Sequence, residues 1–256
     1  MPLKIVVVSP HRDDAAFSLG LSIGSWIEAE HTVEVVNCFT RSDYAPFAEF
    51  EFIHSNDRLP RVTALRLRED QAWAKMYGRG LRLADLNLKD APLRLRVAAD
   101  EVLTRAVNAE DKAMAKLPKA VAALRPDAVV VPLAVGAHVD HRTVRSAMVE
   151  AGLPEGLPCA FYEDLPDAAW PGMAETIEAV AQELGRGLEP VFVTSKGAVA
   201  QAVARKRRLA LCYDSQIADA VADEIAEFCV QYGGRERMWA DAAWRAAGLM
   251  VEEREV

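Results

Sequence analysis

The sequence predicts an α/β fold, a mostly parallel sheet covered by helices on both faces, in a single domain with a C-terminal helical flank. Three observations carry this reading. Short β-branched runs alternate with helix-period segments almost throughout. The runs at 4–9 and 128–132 are apolar without alternation, as in strands buried on both sides. No internal repeat, low-complexity tract or linker divides residues 1–256, and a chain of 256 residues can bury one sizeable core.

Taken in order, 4–9 is a first strand and 15–30 a helix. Residues 32–39 form a second buried strand. From 40 to 63 the pattern dissolves into polar, aromatic and proline residues, a long loop with room for one short helix. Residues 63–77 are helical and stop at Gly78, and 81–86 is a short strand. The stretch 98–124 reads as helix with a break near Ala109. Strand 128–132 and helix 141–151 follow. Two short strands are expected at 158–163 and 190–194, and helices at 197–211, 217–231 and 235–247. Strand–helix alternation of this kind is Rossmann-like.

Composition excludes several function classes. The net charge is −8, which disfavours a sequence-independent grip on nucleic acid or on anionic membranes. The run Arg205-Lys206-Arg207-Arg208 is the one counter-signal, and on a helix it reads as a solvated face. The first apolar run is too short for a signal peptide or a membrane span. Cys38, Cys159, Cys212 and Cys229 form no CxxC pair, so buried thiols in a reducing cytoplasm are expected.

Ligands of such sheets bind beyond the carboxyl ends of the strands. The first strand runs into Ser9-Pro10-His11-Arg12-Asp13-Asp14. The fourth runs into a loop ending His138-Val139-Asp140-His141-Arg142. A catalytic divalent metal takes three imidazole or carboxylate ligands and keeps a position open for water. His11 and Asp14, three apart in a turn, can converge on one ion while Asp13 points elsewhere. Of His138 and His141, one can ligate while the other faces the substrate. A carboxylate then accepts the water proton, and the second imidazole stabilises an oxyanion or protonates a leaving amine. Each motif alone also fits plain capping or turn chemistry. Their joint placement at strand ends favours the metal site. There is no Gly-rich loop ahead of His11-Arg12-Asp13, as a kinase would need, no GxGxxG after the first strand and no Gly-x-Ser-x-Gly elbow.

These two motifs resemble those of the PIG-L / LmbE family of zinc-dependent N-acetylglucosaminyl deacetylases. That family carries (A/S)-His-Pro-Asp-Asp after a strand and His-x-Asp-His later. Arg66-Leu67-Arg68-Glu69, Gly20, and Lys206 with Ser215-Gln216 fit further pieces of its pattern. The resemblance implies that His11, Asp14 and His141 bind zinc, with iron, cobalt or manganese as alternatives. It implies Asp13 as general base, His138 as oxyanion stabiliser or acid, and Asp140 as orienter of a histidine. Arg66 becomes a substrate contact, in competition with an i,i+3 salt bridge to Glu69.

Arg12 stands where the family pattern has Pro. It offers a charge for an acidic substrate, or a salt bridge to a neighbouring carboxylate. The expected activity is removal of an N-acyl group, an acetyl above all, from an amino sugar or related small conjugate in the cytoplasm. No nucleic-acid or membrane partner is expected, and self-association is left open. The rivals are a hydrolase of a non-sugar amide or ester using the same zinc site, and a non-catalytic metal- or sugar-binding protein.

Overall fold

The computed structural model describes residues 1–49, 54–150, 153–154, 156–193 and 197–250. The ends of the helix predicted at 141–151 and of the strand predicted at 190–194, and part of the 41–60 loop, lie outside them. Seven strands form one sheet: β1 (Lys4–Ser9), β2 (Thr32–Asn37), β3 (Leu81–Asp85), β4 (Ala128–Pro132), β5 (Cys159–Tyr162), β6 (Glu189–Val193) and β7 (Glu236–Ala240). Their order is β3-β2-β1-β4-β5-β7-β6. Strands β1 to β5 pair in parallel, and β7 runs antiparallel between β5 and β6. The strand order reverses between β1 and β4, whose register pairs Val7 with Val130. A crevice opens at such a switch point, beyond the strand ends. The two sequence motifs follow these two strands.

The helices are α1 (Asp14–Glu28), α2 (Ser55–Lys75), α3 (Ala91–Leu95), α4 (Lys112–Ala123), α5 (Val139–Glu150), α6 (Met173–Glu183), α7 (Val199–Ala210), α8 (Asp219–Glu227) and α9 (Ala242–Ala246). Helix α1 is buried along nearly its whole length, from Asp14 to Trp26. It packs against α7 through Gly20, where a Cβ would come within 2.8 Å of Leu209 Cδ1. Helix α2 buries the stripe Val62, Arg66, Glu69, Asp70 and Trp73 at helical spacing. Three members of that stripe are charged: Arg66 reaches Asp13 beyond β1, Asp70 reaches Asn37 at the end of β2, and Glu69 reaches Ser215.

Four expectations are corrected. Helix α2 begins at Ser55 and runs through Pro60, so the loop after β2 is shorter than predicted. The stretch 98–124 is not one broken helix: a 3₁₀ turn covers Ala99–Leu103 and the helix starts at Lys112, capped by Asp111 accepting from the Ala113 N–H. Residues 236–240, read as helix, form β7, so the expected helical flank is tied into the sheet. Lys206 is not on a solvated face. It is fully buried and paired with Glu236. The four cysteines are free, and three of them are buried. Among the described residues no helix is long and apolar enough to cross a membrane.

Candidate active site

The turn between β1 and α1 carries the first half of the site. Ser9 Oγ braces it, donating to the His11 carbonyl (2.5 Å) and accepting from the Ala15 N–H (3.1 Å). Asp13 occupies the N-cap position of α1 but makes no capping hydrogen bond, so its carboxylate is left for other work. Asp14 Oδ2 accepts from the His11 N–H at 2.6 Å. The second half comes from the β4–α5 loop, where Ala134 and Ala137 both take left-handed backbone conformations (φ 61° and 62°). Strain of this kind persists only where the surroundings hold it. Asp164, just beyond β5, does so by accepting from the Ala134 and Val135 N–H groups at 2.5 and 3.3 Å.

His11, Asp14 and His141 converge. His11 Nδ1 and His141 Nε2 each lie 3.4 Å from Asp14 Oδ2. Two ligand atoms at about 2.05 Å from a tetrahedral ion stand about 3.3 Å apart, so the three side chains fit a small divalent metal. The far nitrogen of each imidazole is held. His11 Nε2 meets Asp140 Oδ2 at 3.1 Å, and His141 Nδ1 meets Asp164 Oδ1 at 2.6 Å. Carboxylates in these positions set the tautomer and raise ligand basicity.

The electrostatics agree with the geometry. Burial is the largest influence and opposes charge on both imidazoles, yet Asp14 together with Asp140 pushes His11 up to about 10, and Asp14 together with Asp164 pushes His141 up to about 9. Asp14 is driven below the carboxylate range, against burial, by the same two histidines. The cluster is built around positive charge. A second donor set, His11, His138 and Asp140, overlaps the first. Its carboxylate is already occupied by the Ala91 N–H (2.8 Å) and Arg94 (2.7 Å), so the first set is the better cation site.

The remaining predicted residues are placed as follows. Asp140 is fully buried and sits on His11. His138 stands edge-on to His11, with ring centroids 5.0 Å apart. Its Nδ1 accepts from the Asp140 N–H, leaving Nε2 available. Burial and the neighbouring imidazoles press His138 down to about 3, which favours the neutral ring. Arg66 is not paired with Glu69: its Nη2 donates to Asp13 Oδ1 at 3.0 Å. Glu69 instead accepts from the Ser215 N–H and hydroxyl, both at 2.9 Å.

Arg12 is 2% exposed and turned inward, donating to Asp70 and, through two nitrogens, to Asp85. Of the two readings of Arg12, the structure contains the salt bridge to neighbouring carboxylates. Asp164 is the residue that sequence reasoning missed. Its signal was available, because β5 runs into Glu163-Asp164 as β1 runs into His11.

A parallel α/β sheet with an open His–His–Asp cluster at its switch point is the scaffold of a metal-dependent hydrolase. The chain belongs to the PIG-L family: the family model described as GlcNAc-PI de-N-acetylase matches residues 6–152. A 2'-N-acetylparomamine deacetylase from Streptomyces fradiae is 29% identical over 253 residues, covering 96% of this chain and 85% of the relative. Among solved structures, a deacetylase from the biosynthesis pathway of teicoplanin shares the fold with a TM-score of 0.68 at 20% identity, over 93% of this chain and 97% of that one. The zinc-inhibited form of teicoplanin deacetylase Orf2 aligns with a TM-score of 0.65 at 21% identity, over the same shares.

Proposed function

We propose that this chain is a zinc-dependent deacetylase that hydrolyses the N-acetyl group of an amino sugar or amino-sugar conjugate. One observation carries the reading: Asp13, held by Arg66, stands beside a His11–Asp14–His141 donor set whose imidazoles are braced from behind by Asp140 and Asp164. A zinc ion bound there supplies a Lewis acid and lowers the pKa of water to about 7. Asp13 accepts the proton of the attacking water through the carboxylate oxygen that Arg66 leaves unheld. His138, neutral, donates from Nε2 to the amide oxygen as charge develops on it, and Asp13 returns the proton it accepted to the departing amine. Asp140 and Asp164 take no proton; they keep both imidazoles aimed. A pure metal- or sugar-binding protein would need neither Asp13 nor His138, and no observation favours a non-sugar amide. The free cysteines fit a reducing cytoplasm.

The test is amine release from a panel of N-acetyl amino sugars by protein loaded with one equivalent of zinc. Asp13→Asn keeps the metal and loses turnover by about 10²–10⁴-fold. Undiminished turnover in Asp13→Asn refutes the mechanism, and no amine release from any N-acetyl sugar refutes the substrate class.

A further inference from the structure

The carboxylates around the donor set are accounted for one by one. Asp13 has Arg66, Asp14 has the two imidazoles, Asp140 has Arg94 and Asp164 has His141. Asp167 differs. It opens a 3₁₀ turn (Asp167–Ala169) beyond β5, and its carboxylate receives no hydrogen bond from the described residues. What acts on it is burial together with the charges of His141, Asp164 and Asp14, so it lies within electrostatic reach of the site. It is outside both donor sets and so is not a further metal ligand. The β4–α5 loop closes directly over it: a Cβ at position 136 would fall 1.6 Å from Asp167 Oδ2, which only glycine avoids. Asp167 is half-buried, and a carboxylate beside the site that receives no donor from the protein is a common mark of a ligand contact.

We propose that Asp167 is a specificity residue that receives an ammonium group, so that the preferred substrate carries a free amine in addition to its N-acyl group. This rests on the deacetylase reading above. An ammonium brings the donors that Asp167 lacks and a charge matching the acidic surroundings. A net charge of −8 on the chain favours the approach of such a substrate and disfavours an anionic one.

The experiment compares two sugars of one skeleton, mono-N-acetylchitobiose, which has one free amine, and N,N'-diacetylchitobiose, which has none. Binding is measured by calorimetry on zinc-loaded Asp13→Asn protein, with and without Asp167→Asn. The expected result is a preference of at least about tenfold for the amine-bearing sugar, lost in Asp167→Asn. Gly136→Ala, which displaces the carboxylate, should lose the same preference. The thermal midpoint of Asp167→Asn should be unchanged or higher, because an unpaired charge is removed; a structural role would lower it. A preference that survives Asp167→Asn, or no preference at all, overturns the inference. Binding of the amine-bearing sugar without turnover by Asp13-intact protein refutes the deacetylase reading and leaves only the ammonium contact at Asp167 standing.

Discussion

Arg66 Nη2 lies 3.0 Å from Asp13 Oδ1, and both side chains are largely shielded from solvent. The pair joins the middle of α2 to the turn that carries His11 and Asp14, two of the candidate metal donors. It fixes which carboxylate oxygen of Asp13 is free. Replacing Arg66 by Met removes the cation and leaves Asp13 to swing. The metal donors are untouched, so zinc content should stay near one per chain. Turnover should fall by about ten- to a hundredfold, less than the 10²–10⁴ that a positioned base supplies. Steady-state kinetics separate this from a substrate contact, for which KM would rise while kcat held.

Asp164 supports His141 and the strained β4–α5 loop with one carboxylate. Asp164→Asn can keep the loop amides through its oxygen but no longer offers His141 Nδ1 a charged acceptor. Zinc affinity should weaken by about 10–100-fold. Competition against a chelator measures it, and a variant with native affinity would show that Asp164 serves the loop alone.

The gap between what the sequence discloses and what it hides follows physical lines. Strands β1 and β4 are legible to the residue because full burial on both faces leaves an uninterrupted β-branched run. His11 and Asp14 are legible because they follow the first such strand directly, and His141 because it stands in the first turn of the helix that follows the other. Strand β7 is not, since its five residues Glu-Arg-Met-Trp-Ala hold no β-branched residue. What makes them a strand is pairing with β5 and β6 on either side. The i,i+3 bridge between Arg66 and Glu69 is absent for a related reason. Glu69 is its neighbour on the helix, but Ser215 takes Glu69 and Asp13 takes Arg66, and both contacts span more than fifty residues. Local spacing proposes pairs that tertiary packing then reassigns.

Arg12 is the centre of a buried polar cluster that replaces the family's proline. Asp70, fully buried, accepts from Arg12 (2.8 Å), Asn37 (2.7 Å) and Tyr213 (2.9 Å). Burial already lifts Asp70 to about 6 despite Arg12. Arg12→Pro, which restores the family residue, should therefore destabilise by about 3–5 kcal/mol, the cost of stranding one partner of a buried pair. Asp70→Asn added to Arg12→Pro should recover part of that loss, because the two sites are coupled. Denaturant unfolding of the two singles and the double measures the coupling, and simple additivity would refute the clamp.

Glu69 makes the stability of the fold depend on pH. Burial is the largest influence on its carboxyl and raises it from 4.5 to about 7, with Asp214 adding to the rise and Ser215 and Arg66 opposing it. Between those two values the folded chain holds a proton on Glu69 that the unfolded chain has released. The contribution of this group to stability is therefore complete below about pH 4.5 and is lost as pH rises through about 7. Glu69→Gln keeps the shape and removes the titration. The stability of Glu69→Gln relative to the unsubstituted chain should rise from pH 5 to about pH 7 and level off by pH 8, read from urea midpoints at fixed ionic strength. A difference that stays constant over that range would mean that Glu69 is ionised throughout and that the Ser215 hydrogen bonds outweigh its burial.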